Sequence, residues 1–380
     1  MKYKKLSALL LAAGVVGIAA CSTMPTPSSS DLAQRWSALR TEQPKLHPRD
    51  AAQKLNVSEA QLVAINVGQG ATRLRDGSTA YKAVYDRLYE LGRIKAITRN
   101  DNAVLERVGS VTKAELNDEG RVIPGTGFAG GQIDLRFGTD HWRFAFAVVQ
   151  PGREGKISRS LQFFDMHGDA VNKIYLDNAA GVAAFDKLVA DFKAVDQLAT
   201  LKVDRAPAKL VMKPDGEVDV KELRASWNEL TDVHEFPRLL KDLGITREQA
   251  LDLIGKDAAY RISAQSVQSL LDSASKQSQP IMVFVSNPGM TQIFSGTVKQ
   301  VKATGEWFNV LDPDFNLHLR QAGIDHGWVV KRPAKDGVIT SVEFYDANGE
   351  QVVNFFSRRD RNKEESPTWR SIVASLTRTS

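Results

Sequence analysis

The chain has 380 residues, of which 42% are hydrophobic, 25% charged and 8% aromatic. These ordinary globular values exclude a disordered, collagen-like or coiled-coil protein, and the length predicts two or three domains. The single cysteine excludes an intramolecular disulfide and any zinc or iron–sulfur site built on cysteines. Without the three lysines of the first five residues, the net charge of +5 falls to about +2, which is too little to indicate a nucleic-acid partner.

The first thirty residues have the features of an export signal followed by a tether. Three lysines precede an apolar run at 6–20, which is too short for a stable transmembrane helix. The run ends in Ile-Ala-Ala before Cys21, which resembles the lipobox of bacterial lipoproteins, where the cysteine is lipid-modified and the preceding peptide is removed. We expect 1–20 to be a lipoprotein signal peptide and 21–30 a flexible tether. A plain secretory signal with an accidental cysteine is the alternative.

The same segment predicts where the protein works. A lipid-modified Cys21 would anchor the chain stably in a membrane. Ser22 follows it, where an aspartate would indicate retention in the inner membrane. We therefore expect a protein that is lipid-anchored in the bacterial envelope, at the outer membrane and facing the periplasm.

The first half begins and ends with helical patterns. Asp31 can cap one helix, and Ser58 with Gln61 forms a capping box for another. Strand patterns follow at 94–99 and 142–149, and a helical stripe follows at 185–192.

The second half repeats this order. An apolar helical stripe at 233–243 stops at Gly244, and Thr246 with Gln249 caps the next helix. Strand patterns follow at 281–285 and 291–298, and a helical stripe follows at 369–376. Between the halves, 204–220 holds prolines and a glycine but little periodicity, which is typical of a linker.

Two sequence echoes indicate a duplicated domain. Residues 160–165, which end in an Asp-x-x-Gly turn, recur at 341–346 with an offset of 181, and 133–136 recurs at 315–318 with an offset of 182. The first echo predicts a hairpin of two half-buried strands. We predict an α+β fold with large antiparallel sheets, divided into repeats at 31–200 and 222–380 and a linker at 201–221.

No nucleotide-binding, metalloprotease or hydrolase motif is present, and none of the six histidines pair at metal-ligand spacing, which disfavours a multi-histidine zinc site. His47 precedes a proline at a helix start, where we expect it at the surface, and His318 lies mid-strand, where a packed or hydrogen-bonded position is favoured. His234 lies at a helix N-terminus, where the macrodipole keeps an imidazole neutral and able to bind a metal. A half-exposed helix histidine without a ligand is the alternative.

The helices predicted at 233–243 and 247–255 also have the spacing of a helix-turn-helix motif. The mild net charge and the export signal argue against DNA recognition, so we expect no nucleic-acid partner.

Several segments resemble the bacterial haemin-degrading factor family, the HemS/ChuX-like haem-utilisation proteins. In chain order they are 96–100, 133–136, 162–165, 231–234 with 243–250, 281–285 and 340–343, and the resemblance spans about 31–376. It implies a tandem duplication with two large antiparallel sheets packed centrally. It also implies that haem binds in a cleft between the halves.

The resemblance implies roles for eight residues. His234 is the axial ligand of the haem iron, and Arg136, from the first half, approaches the opposite side of the haem. Further residues hold the propionates or line the pocket; these are Arg247, Arg332, Arg359, Phe284, Asn354 and Phe356. Neutral imidazole is a standard haem ligand, and the arginine fork suits a propionate carboxylate.

The sequence departs from the family pattern at five places. Asn354 and Phe356 stand where a glutamine and a tyrosine are usual, so one hydroxyl near the haem edge is lost. The order Lys331-Arg332 reverses the usual arginine and lysine. Leu105 stands where some relatives have a further haem-binding histidine, so we expect no second haem on the first half. The lipobox differs from familiar members, which are cytoplasmic.

These features favour haem binding and trafficking in bacterial haem-iron uptake, with haem-uptake receptor or transporter components as further partners. One alternative is oxidative haem degradation, in which the porphyrin is opened, iron is released and an external reductant is required. Another alternative is an adaptor lipoprotein that has lost haem binding.

Overall fold

The computed structural model describes residues 28–44, 46–113, 126–152, 155–205, 213–231, 235–335, 337–359 and 364–379. The predicted lipidation site Cys21 and the predicted axial ligand His234 therefore lie outside the described residues, as do residues 206–212 of the predicted linker. In the described ranges, the helices are all too short or too polar to cross a membrane.

The first half contains five helices and eight strands within the described residues. They are α1 (Ser29–Glu42), α2 (Pro48–Leu55), α3 (Glu59–Ala64), β1 (Ala71–Arg73), α4 (Ser78–Tyr85), β2 (Arg93–Arg99), β3 (Ala103–Ser110), β4 (Thr126–Ala129), β5 (Asp134–Gly138), β6 (Trp142–Pro151), β7 (Ile157–Asp165), β8 (Ala170–Leu176) and α5 (Val182–Phe192).

The second half follows the same order with one added strand, β12. Its elements are α6 (Val220–Asn228), α7 (Glu235–Leu243), α8 (Arg247–Ile254), β9 (Ala259–Ser263), α9 (Ser266–Lys276), β10 (Ile281–Asn287), β11 (Met290–Gly296), β12 (Val301–Thr304), β13 (Trp307–Asp312), β14 (Phe315–Arg320), β15 (His326–Ala334), β16 (Gly337–Tyr345), β17 (Gln351–Ser357) and α10 (Pro367–Ala374).

Local sequence signals explain the starts of the helices. The capping boxes that begin α3 and α8 are both formed, with Ser58 and Gln61 in one and Thr246 and Gln249 in the other. The cap of α1 was predicted wrongly. Ser28 caps that helix, and its side chain accepts the backbone N–H of Asp31 at 3.2 Å. Asp31 lies in the first turn, where its negative charge interacts favourably with the helix dipole.

The two predicted hairpins are confirmed, and their turns have the same conformation. Gly168 and Gly349 have φ values of 79° and 76°, a left-handed conformation that favours glycine. In each turn the aspartate side chain accepts backbone N–H groups, Asp165 at 2.9 Å from His167 and Asp346 at 2.8 Å from Asn348. These turns connect β7 to β8 and β16 to β17.

Each half contributes strands to the sheet of the other half. One sheet has nine strands in the order β1-β6-β7-β8-β2-β3-β14-β13-β12, and the other has eight in the order β4-β5-β11-β10-β17-β16-β15-β9, with antiparallel neighbours throughout. The sequence echo at 133–136 and 315–318 falls on the exchanged strands β5 and β14. The predicted two-sheet α+β duplication is confirmed. Because of the exchange, each sheet contains strands from both repeats.

The sheets pack against each other through their central strands. Alternate residues of β2 and β10, such as Ala96 and Val283, are fully buried between them. The side-chain amide of Gln292 crosses this interface and donates to the carbonyl of Ala96 at 3.1 Å. The other residues of these strands lie on the two outer faces, which the helices cover only in part.

Candidate functional site

The outer face of the 8-stranded sheet brings together most of the predicted site residues. Arg136 on β5 lies opposite Thr291, and Phe284 on β10 lies opposite Asn354, while Phe356 is two residues further along β17. Opposed residues of antiparallel strands share a face, so these side chains lie on one surface although Arg136 comes from the first half.

An aromatic pair forms the middle of this surface. The rings of Phe284 and Phe356 lie 4.9 Å apart at 61°, close to an edge-to-face arrangement. Both are half-buried, whereas their strand neighbours Val283 and Phe355 are fully buried between the sheets. The pair therefore offers a partly open apolar wall, which suits a flat apolar ligand.

A buried ion pair borders the aromatic pair. The Nε and Nη2 groups of Arg247, at the start of α8, donate to the two carboxylate oxygens of Glu343 on β16, both at 2.7 Å. Glu343 is 0% exposed and also accepts from Ser341 at 2.7 Å and from the Tyr345 hydroxyl at 2.9 Å. This two-pronged geometry is the strong form of an arginine–carboxylate pair.

Burial alone would raise the pKa of Glu343, but the charge and hydrogen bonds of Arg247 outweigh burial and lower the pKa to about 2. The carboxylate therefore stays ionised at neutral pH and neutralises one cation.

Arg332 is a further cation beside the same carboxylate and, unlike the partly exposed Arg247, it is buried. It is 3% exposed, its Nη2 lies 4.0 Å from Glu343 Oε1 and 3.5 Å from the Ser341 hydroxyl, and its Nε has no hydrogen-bond partner in the described part of the chain. Burial, and then the charge of Arg247, lowers the pKa of Arg332 to about 10, so it remains protonated at neutral pH. Two cations thus share one anion, which favours an added anion.

Arg332 also connects the cation cluster to the aromatic pair and to α7. Its guanidinium carbon lies 5.7 Å from the centre of the Phe356 ring and 5.9 Å from the centre of the Phe236 ring. Arg247 lies 4.8 Å from the same Phe236 ring. Phe236 is the second residue of α7, so the start of that helix stands beside the cluster.

The described residues that flank His234 are anchored near this cluster. Thr231 donates its backbone N–H to the Glu235 carboxylate at 2.8 Å, and its carbonyl accepts the N–H of Lys335 at 3.0 Å. Lys335 directly follows β15, the strand that carries Arg332. The role of His234 as axial ligand stays a prediction.

Asn354 lies between Glu343 and Phe284 on the same face, opposite both in the strand register. Its side-chain oxygen is buried and has no hydrogen-bond partner in the described ranges. A buried acceptor of this kind indicates a donor supplied by a ligand or by water.

The remaining two predicted residues are placed differently. Arg136 is 44% exposed and pairs with Asp134 on its own strand. Arg359 follows β17. Burial raises the pKa of Glu365, and the positive charge of Arg359 partly opposes this effect. The Glu365 carboxylate accepts the backbone N–H of Thr340 at 2.5 Å. The distal role of Arg136 and the propionate role of Arg359 stay predictions.

Sequence reasoning missed Glu343 and the hydroxyls that support it. A signal was available, because Glu343 occupies a strand position whose counterpart in the first repeat is the uncharged Gln162. A carboxylate inside an otherwise apolar strand pattern indicates a buried partner of opposite charge.

The fold defines a class: duplicated α+β proteins whose two sheets exchange strands. Within that class, the model of the haemin-degrading HemS.ChuX domain matches residues 56–192 and 244–376. The chain belongs to this family, as the sequence predicted.

Relatives of known structure or description agree over nearly the whole chain. The hemin transport protein HmuS of Yersinia pestis is 34% identical over 351 residues, 92% of this chain and 98% of that protein. The structure of holo-PhuS, a heme-binding protein from Pseudomonas aeruginosa, has a TM-score of 0.86 at 38% identity and covers 93% of this chain and 100% of its own. The heme degrading enzyme ChuS of Escherichia coli O157:H7 has a TM-score of 0.81 at 32% identity and covers 92% and 99%.

Proposed function

We propose that this protein binds haem and carries it during bacterial haem-iron uptake. The observation that carries the proposal is the surplus buried cation, Arg332, next to the half-open aromatic pair Phe284 and Phe356. A haem is complementary to this surface, because its propionates are anionic and its ring is flat and apolar. The names of the relatives, a hemin transport protein and a heme-binding protein, support this function.

The residues of this proposal have separate tasks. Arg332 binds a propionate, and Glu343 holds Arg247 so that Arg247 packs on Phe236 instead of competing for the ligand. Phe284 and Phe356 contact the porphyrin. His234 supplies a neutral imidazole to the iron, and Arg136 approaches from the strand that the first half contributes.

A haemin titration tests the proposal. Purified protein should give a sharp Soret band on adding haemin, and His234→Ala should weaken binding at least tenfold. His141→Ala, which changes an exposed histidine before β6, is the matched control. Equal haemin affinities of wild type and His234→Ala would contradict His234 as the iron ligand. No haemin binding by either protein would favour the adaptor function.

Oxidative haem degradation is a second candidate, because the relative ChuS, 32% identical, is described as a heme degrading enzyme. If this chain degrades haem, the Soret band of the complex should bleach in air when ascorbate or a reductase is added. Catalase must be present, because free peroxide destroys haem by itself. A stable Soret band under these conditions would leave haem carriage as the function.

We also propose that Cys21 is lipid-modified and holds the protein at the outer membrane, facing the periplasm, where haem-uptake receptor or transporter components would be its partners. The support is the sequence pattern of residues 1–21. Labelling cells with a fatty-acid probe should mark the wild-type chain and not Cys21→Ser. Equal labelling of both would contradict the anchor.

A further inference from the structure

An open cavity lies in the first half, at the point where the described chain begins. It has a volume of about 840 Å³ and is lined mainly by the start of α4, the start of β6 and residues 198–202, together with Ser28. Its buried lining is aromatic and consists of Tyr81, Trp142 and Phe144. None of the described residues assigned to haem lines this cavity, so a partner bound here would leave the haem surface accessible.

Ser28 connects this cavity to the proposed lipid anchor. It caps α1, and Leu32 of that helix packs against α2 and α3, so the chain is fixed at this point. Ser28 is seven residues after Cys21, and seven fully extended residues span at most about 25 Å. A lipid on Cys21 would therefore keep the cavity within about 25 Å of the membrane surface. A short tether of this kind gives a local concentration on the order of millimolar, at which weak contacts suffice for binding.

The segment after α5 presents two exposed apolar side chains beside this cavity. Val195 is 99% exposed, and Leu198, which lines the cavity, is 56% exposed. The backbone of this segment is held on the edge of β1. The N–H of Ala194 donates to the Arg73 carbonyl at 3.0 Å, and the Gln197 amide donates to the same carbonyl at 2.8 Å and accepts the Arg73 N–H at 2.9 Å. Two apolar side chains in water on a fixed backbone indicate a contact with an apolar partner.

The exposed lining of the cavity carries charged side chains that the protein leaves unpaired. Arg73 is neutralised by Asp76 at 2.6 Å. Arg143, Lys202 and Asp140 are exposed and form no ion pair with any described residue. Two cations and one anion beside apolar groups are complementary to a phospholipid surface, which has phosphates and ethanolamine cations above hydrocarbon.

We infer that this docking surface, formed by Arg143, Lys202, Asp140, Val195 and Leu198, binds the phospholipid headgroups of the membrane that holds the anchor. The two cations contact lipid phosphates, the carboxylate contacts an ethanolamine ammonium, and the two apolar side chains enter the interface. The choice of a membrane as the partner rests on the proposed lipidation. Docking gives the tethered protein one orientation, in which the haem surface takes no part in the membrane contact.

Vesicles of phosphatidylethanolamine and phosphatidylglycerol (3:1) test the docking surface without the anchor. The mature chain carrying Cys21→Ser retains every described residue and should co-sediment with them. Arg143→Ser should lower this binding about fivefold, because a basic residue near an anionic membrane contributes about 1 kcal/mol. Leu198→Gln should lower it at least threefold, because an exposed apolar side chain no longer leaves water.

Two matched variants control for the loss of any exposed cation or apolar group. Arg238→Ser changes an arginine on α7 whose side chain is 83% accessible, and Val338→Gln changes a 54% exposed valine on β16. Both should bind vesicles like the parent chain. Since all the variants change exposed side chains, their thermal unfolding and their haemin titrations should equal those of the parent.

Fluorescence of the anchored protein tests the orientation. Lipidation occupies the only cysteine of the chain, so Val195→Cys introduces a thiol that can be labelled alone. In vesicles that hold the acylated protein, a nitrobenzoxadiazole label at this position should emit at shorter wavelength and be quenched by spin-labelled lipid. The same label on Val338→Cys should keep the emission that it has in water.

The outcomes separate the docking surface from the anchor. Vesicle binding that depends on Arg143 and Leu198, in a protein that no fatty-acid probe labels, would support the surface and contradict the anchor. A lipidated protein whose label at Val195 stays as accessible to water as the label at Val338 would overturn the surface and leave the anchor. Equal binding by the parent, Arg143→Ser and Leu198→Gln, or no binding by the parent, would also overturn the surface.

Discussion

The two outer faces have the same scaffold but opposite arrangements of buried charge. On the second-half face, the helix supplies the cation Arg247 and the strand supplies the anion Glu343. On the first-half face, the helix position of Arg247 holds the anion Glu59, which is 4% exposed and pairs with Lys173 on β8. Duplication has thus kept a charge at the same helix position with the opposite sign, whereas the strand partner has changed: Glu343 corresponds to the uncharged Gln162, and Lys173 lies on the neighbouring strand β8.

The difference shows which features a binding surface needs and which belong to the scaffold. Both faces keep one buried ion pair between the third helix and the sheet, and both keep a further cation, Arg332 on one and Arg99 on the other. Only the second-half face has the aromatic pair of Phe284 and Phe356. We interpret the ion pair as scaffold and the surplus cation with its neighbours as the ligand surface.

The largest expected effect comes from breaking a scaffold pair. Arg247→Ala would remove both hydrogen bonds from Arg247 to the fully buried Glu343, leaving only Arg332 at 4.0 Å, and should lower the free energy of unfolding by about 3–5 kcal/mol. Urea denaturation measures this. Arg238→Ala, an exposed arginine on α7 with a side chain 83% accessible, is the control and should change stability by less than about 0.5 kcal/mol. A loss below about 1 kcal/mol for Arg247→Ala would contradict the scaffold role.

The acid stability of the protein should depend on Glu343. Its pKa is about 2 when folded, below the ordinary value of 4.5, so its stabilising contribution is complete above pH 4.5 and disappears as the pH falls towards 2. The contribution is about 3 kcal/mol. Unfolding free energies between pH 6 and 2.5 should therefore fall less steeply in Glu343→Gln than in wild type. Parallel pH profiles would show that Glu343 is not the titrating group.

A smaller effect is expected from removing the surplus cation. Arg332→Met should weaken haemin binding about tenfold to a hundredfold, because a hydrogen bond to a charged group contributes about 1.5–3 kcal/mol. The free energy of unfolding of the haem-free variant should not fall, because an unneutralised buried charge is replaced with an apolar side chain. Lys331→Met, at the exposed neighbouring position, is the control in the same Soret titration. Equal affinities of Arg332→Met and wild type would refute the propionate role.

The smallest effect is expected at Phe356. Phe356→Tyr adds the hydroxyl that the family resemblance implies at this place, next to Arg332. One added hydrogen bond contributes about 0.5–1.5 kcal/mol, so haemin should bind about twofold to tenfold more tightly. Tyr175→Phe, at the corresponding position of the other face, should leave the His234-dependent haem unchanged. Weaker binding by Phe356→Tyr would indicate that the ring is packed too closely for the hydroxyl.

Most of the fold could be predicted from the sequence because its signals are local. The capping boxes at Ser58 and Thr246, the Asp-x-x-Gly turns and the alternation along 160–165 each depend on residues a few positions apart. The exchange of β5 and β14 could not be predicted, since pairing between Arg136 and Thr291 joins residues of different halves that no local pattern relates.

The site was predictable only where the resemblance named its residues. Arg247, Arg332, Phe284 and Phe356 do come together on one face. The charge balance among them depends on Glu343, which becomes visible as a partner only when α8 is folded over β16.

A structure of the haemin complex tests the central claim most directly. We expect a haem on the outer face of the 8-stranded sheet, with its iron bound by His234, a propionate within hydrogen-bond distance of the Arg332 guanidinium and the ring against Phe284 and Phe356. A haem bound away from this face, or one whose propionates both avoid Arg332, would contradict it.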